Sequence, residues 1–169
     1  EWNKDSKMNS ARNLGDRVLS AVANKDPIEL KDIEISNISQ DMFIKNLLSA
    51  ILLSDNKLDA SKMALEEIRD IPGITKTYRE LNAFKLGLLV LKEGNLTGDE
   101  RFSVFEGLVE PGSPFRLLAK EQQALILIEQ GKLELAIKAL TEISVDSETT
   151  ASLKRRVTQL RISLGGDPN

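Results

Sequence analysis

Cysteine and histidine are both absent from the 169 residues. That removes thiolate and imidazole chemistry together, and with them the usual zinc sites and catalytic triads. The missing cysteine says nothing about compartment, because a thiol-free helical domain serves equally in cytosol or periplasm. Aromatic residues are scarce at 4%, which suits helices packed on helices through leucine and isoleucine. No apolar run reaches the roughly 18 residues a membrane span needs. Excess positive charge is also lacking: the net charge of −3 argues against a nucleic-acid or anionic-lipid surface.

What is present is a sentence written three times. Ala124-Leu125-Ile126-Leu127-Ile128 runs into Glu129-Gln130-Gly131-Lys132-Leu133. Gly87-Leu88-Leu89-Val90-Leu91 runs into Lys92-Glu93-Gly94-Asn95-Leu96, and Ser49-Ala50-Ile51-Leu52-Leu53 into Ser54-Asp55-Asn56-Lys57-Leu58. Each copy is a small residue, four apolar residues, a polar pair and a turn residue able to take positive φ. The turn residues Asn56, Gly94 and Gly131 are 38 and 37 apart, a period that belongs to stacked helical hairpins.

In chain order, Met8, Ala11, Gly15, Val18, Leu19 and Val22 fall at helical spacing, and Asn24-Lys25-Asp26-Pro27 stops that helix. Residues 28–38 mix two- and three-residue apolar steps, favouring a short helix or ordered loop. Ser39-Gln40-Asp41 opens a largely apolar helix to Ser54, whose partner carries Leu58, Ser61, Ala64, Leu65 and Ile68 and stops at Pro72-Gly73. A second hairpin starts near Thr75, turns at Gly94 and returns over about 98–109 through Phe102, Phe105 and Leu108. A third hairpin runs from Phe115 through Gly131 to Ile143, and overlays the first without a gap at an offset of 75. Asp146-Ser147 is expected to cap a final helix with Leu153, Val157, Leu160 and Leu164 on one face. Lys154, Arg155, Arg156 and Arg161 lie off that stripe. The expected fold is all-α: about three helical hairpins in a right-handed stack, with an N-terminal helix and a C-terminal capping helix. Residues 1–38 and 39–166 are expected to form one structural domain.

The hairpins resemble the tetratricopeptide repeat through the small positions Gly87, Ala124 and Ala136, the turns Asn56, Gly94 and Gly131, the large positions Leu65 and Leu140, and Pro72. Ser49 and Ser61 depart from that pattern, and Asp99 stands where it would bury an alanine, so the second return helix is expected to be degenerate or shifted. Pro114-Phe115-Arg116 leading into Ala119–Gly131, followed by a last helix ending Leu164-Gly165-Gly166, is similar to bacterial YfgM-type proteins of the alphaproteobacterial branch. Those are ancillary subunits of the SecYEG translocon, and the resemblance covers roughly residues 40–166. It implies a non-enzymatic interaction domain facing the periplasm, an inner-membrane anchor upstream of Glu1, and the Sec translocon or a periplasmic chaperone as partner. Under the same reading Trp2 is an interfacial residue.

The resemblance also places the partner surface. In tetratricopeptide arrays the first helix of each hairpin lines the concave face. The corresponding residues here are Phe43, Ala50 and Leu53, then Leu81, Phe84, Leu88 and Leu91, then Leu118, Leu125 and Ile128. Asn46, Ser54, Lys92, Glu121 and Glu129 are their polar companions. Either the chain's own helix 8–23 covers this face, or a partner's apolar segment does. No cofactor or metal is indicated: Gly94-x-x-x-Gly98 and Gly131-Lys132-Leu133 are not phosphate loops, and Glu66-Glu67 reads as a solvated pair. An adaptor in envelope assembly or cell division is the alternative function on the same fold.

Overall fold

In the computed structural model residues 2–167 are described, with side chains from Met8 onward, so the expectation for Trp2 lies outside the described side chains. The described residues are all-helical, with no strand, and their helices pack in neighbouring pairs. The chain divides into two compact units, Glu1–Thr75 and Lys76–Asn169.

The first unit holds α1 (Trp2–Ala23), α2 (Pro27–Lys31), α3 (Ile38–Ser54) and α4 (Leu58–Arg69). The break after α1 is sharp because Lys25 takes φ 51 and Asp26 caps α2, its carboxylate accepting from the Ile28 and Glu29 amides. The ambiguous stretch is therefore a short helix, and it buries Leu30 and then Ile33. Helix α3 begins slightly before Ser39-Gln40-Asp41, since Asn37 is its cap and accepts from Gln40 N at 3.0 Å. The Gln40 side chain reaches back to Ser36 N at 2.9 Å, reciprocating that cap. The buried stripe of α1 differs from the expected one. Val18 and Ala21 are buried and Leu14 packs beside them, whereas Met8, Leu19 and Val22 remain exposed. The reason is the direction of docking: α1 meets α2, its 14–18–21 face joining the core of Leu30, Ile33, Ile44 and Leu48, and Arg17 donates to the Asp32 carbonyl at the end of α2 at 3.1 Å.

Helices α3 and α4 make the tightest pair of this unit, with Ser61, Ala64, Leu65 and Ile68 facing inward. Where the third hairpin has the buried Ala124 and Ala136, the overlay puts Ser49 and Ser61. Both serines are buried, and they satisfy each other: the hydroxyls lie 2.8 Å apart and Ser61 Oγ also reaches the Ser49 carbonyl at 2.8 Å. A polar pair thus occupies a small-residue contact at no cost in unsatisfied groups.

The second unit holds α5 (Lys76–Lys92), α6 (Gly98–Ser103), a 3-10 turn (Glu106–Leu108), α7 (Arg116–Glu129), α8 (Leu133–Val145) and α9 (Ala151–Ser163). Its irregular part is the return of the second hairpin. In the first and third hairpins the return helix starts at Leu58 and Leu133, two residues past the turn. In the second, Thr97 and Glu100 form a capping box, with Thr97 N donating to Glu100 Oε2 at 2.8 Å, so the helix starts two residues later. The buried positions move with it. Asp99 and Ser103 are exposed, while Phe105 and Leu108 fill the core. Phe105 lies over Gly87, where an added Cβ would stand 2.8 Å from its ring.

Asn56, Gly94 and Gly131 adopt φ 59, 70 and 73, as the repeated turn requires. Nothing lies within 4 Å of a Cβ placed on Gly94 or Gly131, so substitution there tests backbone strain alone. Gly94→Val and Gly131→Val should each lower stability by about 1–2 kcal/mol in denaturant titrations. Unchanged midpoints in both would show that the turns carry no strain.

Candidate protein-binding surface

The ten residues expected to meet a partner are distributed over α3, α5 and α7, and none of them is buried. In the first unit Phe43 and Ala50 are exposed and Leu53 is half-buried. They form the open side of α3, seven and three residues apart, while Ile44, Leu48, Ile51 and Leu52 turn into the core with Val18, Ala21 and Ala64. Val18 and Ala21 of α1 thus share a core with the buried side of α3, and Phe43 stays bare at 55% exposure.

In the second unit Leu81, Phe84, Leu88 and Leu91 of α5 are half-buried. Three of them lean on the internal cluster of Phe105, Leu108, Ala119 and Ile126. Phe84 is the hinge of this arrangement, its ring 5.7 Å from that of Phe105 and stacked on Phe115 at 5.9 Å. On α7, Leu118, Leu125 and Ile128 are half-buried, whereas Leu117, Ala124, Ile126 and Leu127 are core. Leu118 also walls a cleft of about 420 Å³ between the starts of α7 and α9, with Leu117, Leu153 and Arg156.

The charged companions behave differently from their expected roles. Glu121 is buried rather than surface-lining, and Arg156 of α9 grips it through two hydrogen bonds of 2.5 and 2.6 Å. Glu129 pairs with Arg101 of α6. Arg161 is also corrected: it is buried beside α8, its Nη1 3.4 Å from Thr141 Oγ1. Two of the four cations of the last helix thus serve its own docking.

The α8–α9 connection carries a polar cluster for which spacing gives no sign. Arg116, in the first turn of α7, donates to both carboxylate oxygens of Asp146 at 2.8 and 2.9 Å and to Glu148 at 2.7 Å. Asp146 is therefore a clamp, and Thr150 caps α9 instead, accepting from Leu153 N at 3.3 Å. Asp followed by Ser just before a helix looks like a cap in sequence; only the distant Arg116 claims it. Those hydrogen bonds, then the one from the Glu148 amide, hold the Asp146 carboxyl down at about 2. A carboxylate whose folded value lies below the unfolded value of about 3.9 adds stability above that pH. The contribution disappears as pH falls from about 4 through about 2. Acid titration of stability should show a step in that window that Asp146→Asn removes; an unchanged titration would mean the clamp is energetically silent.

Helices packed in neighbouring pairs, with no strand among the described residues, define the class as an all-helical protein. No family model, no curated protein and no solved structure matches this chain. No described helix is long and apolar enough to cross a membrane.

Proposed function

We propose that this protein is a non-enzymatic scaffold for protein–protein interaction, its hairpins arranged as a tetratricopeptide-like right-handed stack. In this reading it is the periplasmic domain of a membrane-anchored, YfgM-like ancillary subunit of the Sec translocon. The observation that carries the binding role is that none of the ten α3, α5 and α7 residues is buried, Phe43 and Ala50 being exposed and the other eight half-buried. Leucine, isoleucine and phenylalanine that the chain leaves partly or wholly uncovered are suited to an apolar segment of a partner. The repeated turns and the 75-residue overlay support the repeat reading; the link to the translocon rests on the sequence resemblance.

The test is photo-crosslinking from Phe43, Leu125 and Ile128 in anchored full-length protein. Crosslinks to translocon subunits or to a periplasmic chaperone are expected. Adducts confined to envelope-assembly or division proteins would replace the client and keep the scaffold. Crosslinks that arise only from exposed polar positions of the return helices, such as Glu66 of α4 and Glu134 of α8, would overturn the surface. Leu88→Glu is not a clean probe of binding, because Leu88 leans on the Phe105 cluster. It should cost about 1–3 kcal/mol of stability, and a fully stable Leu88→Glu protein would place Leu88 in the binding surface alone.

A further inference from the structure

Helix α1 has a second apolar face that its own unit leaves open. Met8, Leu19 and Val22 are 48%, 68% and 39% exposed, and Ala11 and Gly15 between them are exposed as well. At 100° per residue these five fall within an arc of about 80°, next to the 14–18–21 face that docks on the core. Their spacing is a palindrome about Gly15: Ala11 and Leu19 lie four residues to either side, Met8 and Val22 seven. We propose that this face pairs antiparallel with the same face of a second copy of the chain, on a two-fold axis at Gly15.

Three features meet in that arrangement. First, the axis sets Ala11 opposite Leu19 and Met8 opposite Val22, so small meets large at one contact and two larger side chains meet at the rim. Second, the charges complement themselves. Arg12 and Asp16 lie on the solvent flank of the stripe, both exposed and neither in an ion pair among the described residues. Arg12 precedes Gly15 by three residues and Asp16 follows it by one. At 1.5 Å per residue the axis carries Asp16 of the second copy to within about 3 Å of Arg12 along the helix, twice over by symmetry. Third, Gly15 has no reason within its own chain. It sits mid-helix where glycine is unfavourable, and nothing lies within 4 Å of a Cβ built there. A residue without a side chain at the crossing point lets two helices approach closely. The contact is small beside the ~1,600 Å² of a standard interface, so the dimer is weak and concentration-dependent. It involves no residue of the proposed partner surface and does not rest on that function.

Sedimentation equilibrium of the whole chain from about 1 µM to about 1 mM should show a reversible monomer–dimer equilibrium. Gly15→Gln should abolish the dimer while leaving the melting temperature equal or higher, since the site is open and glutamine favours helix. Arg12→Asp and Asp16→Arg should each weaken the dimer about tenfold, by turning two attractions into two repulsions, and together should restore it. The absence of cysteine gives a test of direction. Met8→Cys protein should not crosslink to itself but should crosslink to Val22→Cys protein. A chain monomeric throughout, a dimer indifferent to Gly15→Gln, or self-crosslinking at Met8→Cys would each overturn the proposal.

Discussion

Phe105→Ala is expected to be the most damaging single substitution in the second unit, costing about 3–5 kcal/mol. Phe105 is fully buried, touches the ring of Phe84 and lies over Gly87. Removing it empties the contact that replaces a regular return helix, and the short α6 and the 3-10 turn have little means of closing the gap. Ser103→Ala is the control, because a repeat aligned on the turn residue alone would give position 103 the buried role. Ser103 is exposed, and its loss should change stability by less than about 0.5 kcal/mol. Denaturant titrations followed by circular dichroism compare the two. A mild Phe105→Ala together with a severe Ser103→Ala would restore the unshifted register.

The next largest effects should come as a matched pair. Leu65 and Leu140 occupy the same place in the first and third hairpins, 75 residues apart, and are 2% and 0% exposed. Truncating either to alanine should cost about 2–5 kcal/mol. Leu140 packs with Ala124, Ile143, Leu153 and Val157, so its loss loosens the seat of α9 as well as the hairpin. Leu65→Ala should leave the Arg116–Asp146 acid step intact, because that clamp belongs to the other compact unit. If Leu140→Ala proved harmless while Leu65→Ala unfolded its unit, the overlay of the two hairpins would be only a likeness of sequence.

The turns show how much of the fold was legible. Asn56, Gly94 and Gly131 were readable because positive φ is a demand on one residue, met by the few types that tolerate it. Helix type and pairing followed from spacing and from the stops at Asp26-Pro27, Pro72-Gly73 and Pro111-Gly112. The ten apolar residues of α3, α5 and α7 came from the resemblance to tetratricopeptide arrays, and spacing could not say which apolar residues would be covered.

What the sequence by itself determined is local: all-helical character, three turns, the serine-for-alanine positions and the absence of thiol and imidazole chemistry. These follow from properties of single residues and from a 3.6-residue period. Only the tertiary structure decided the rest. The α1 face buried is the 14–18–21 face because docking direction is set by α2 and α3, not by hydrophobicity along one helix. Asp146 serves Arg116, 30 residues away, and Glu121 is buried because Arg156, 35 residues away, accompanies it. Such choices depend on which distant charge arrives, and a buried carboxylate is tolerated only where its partner does.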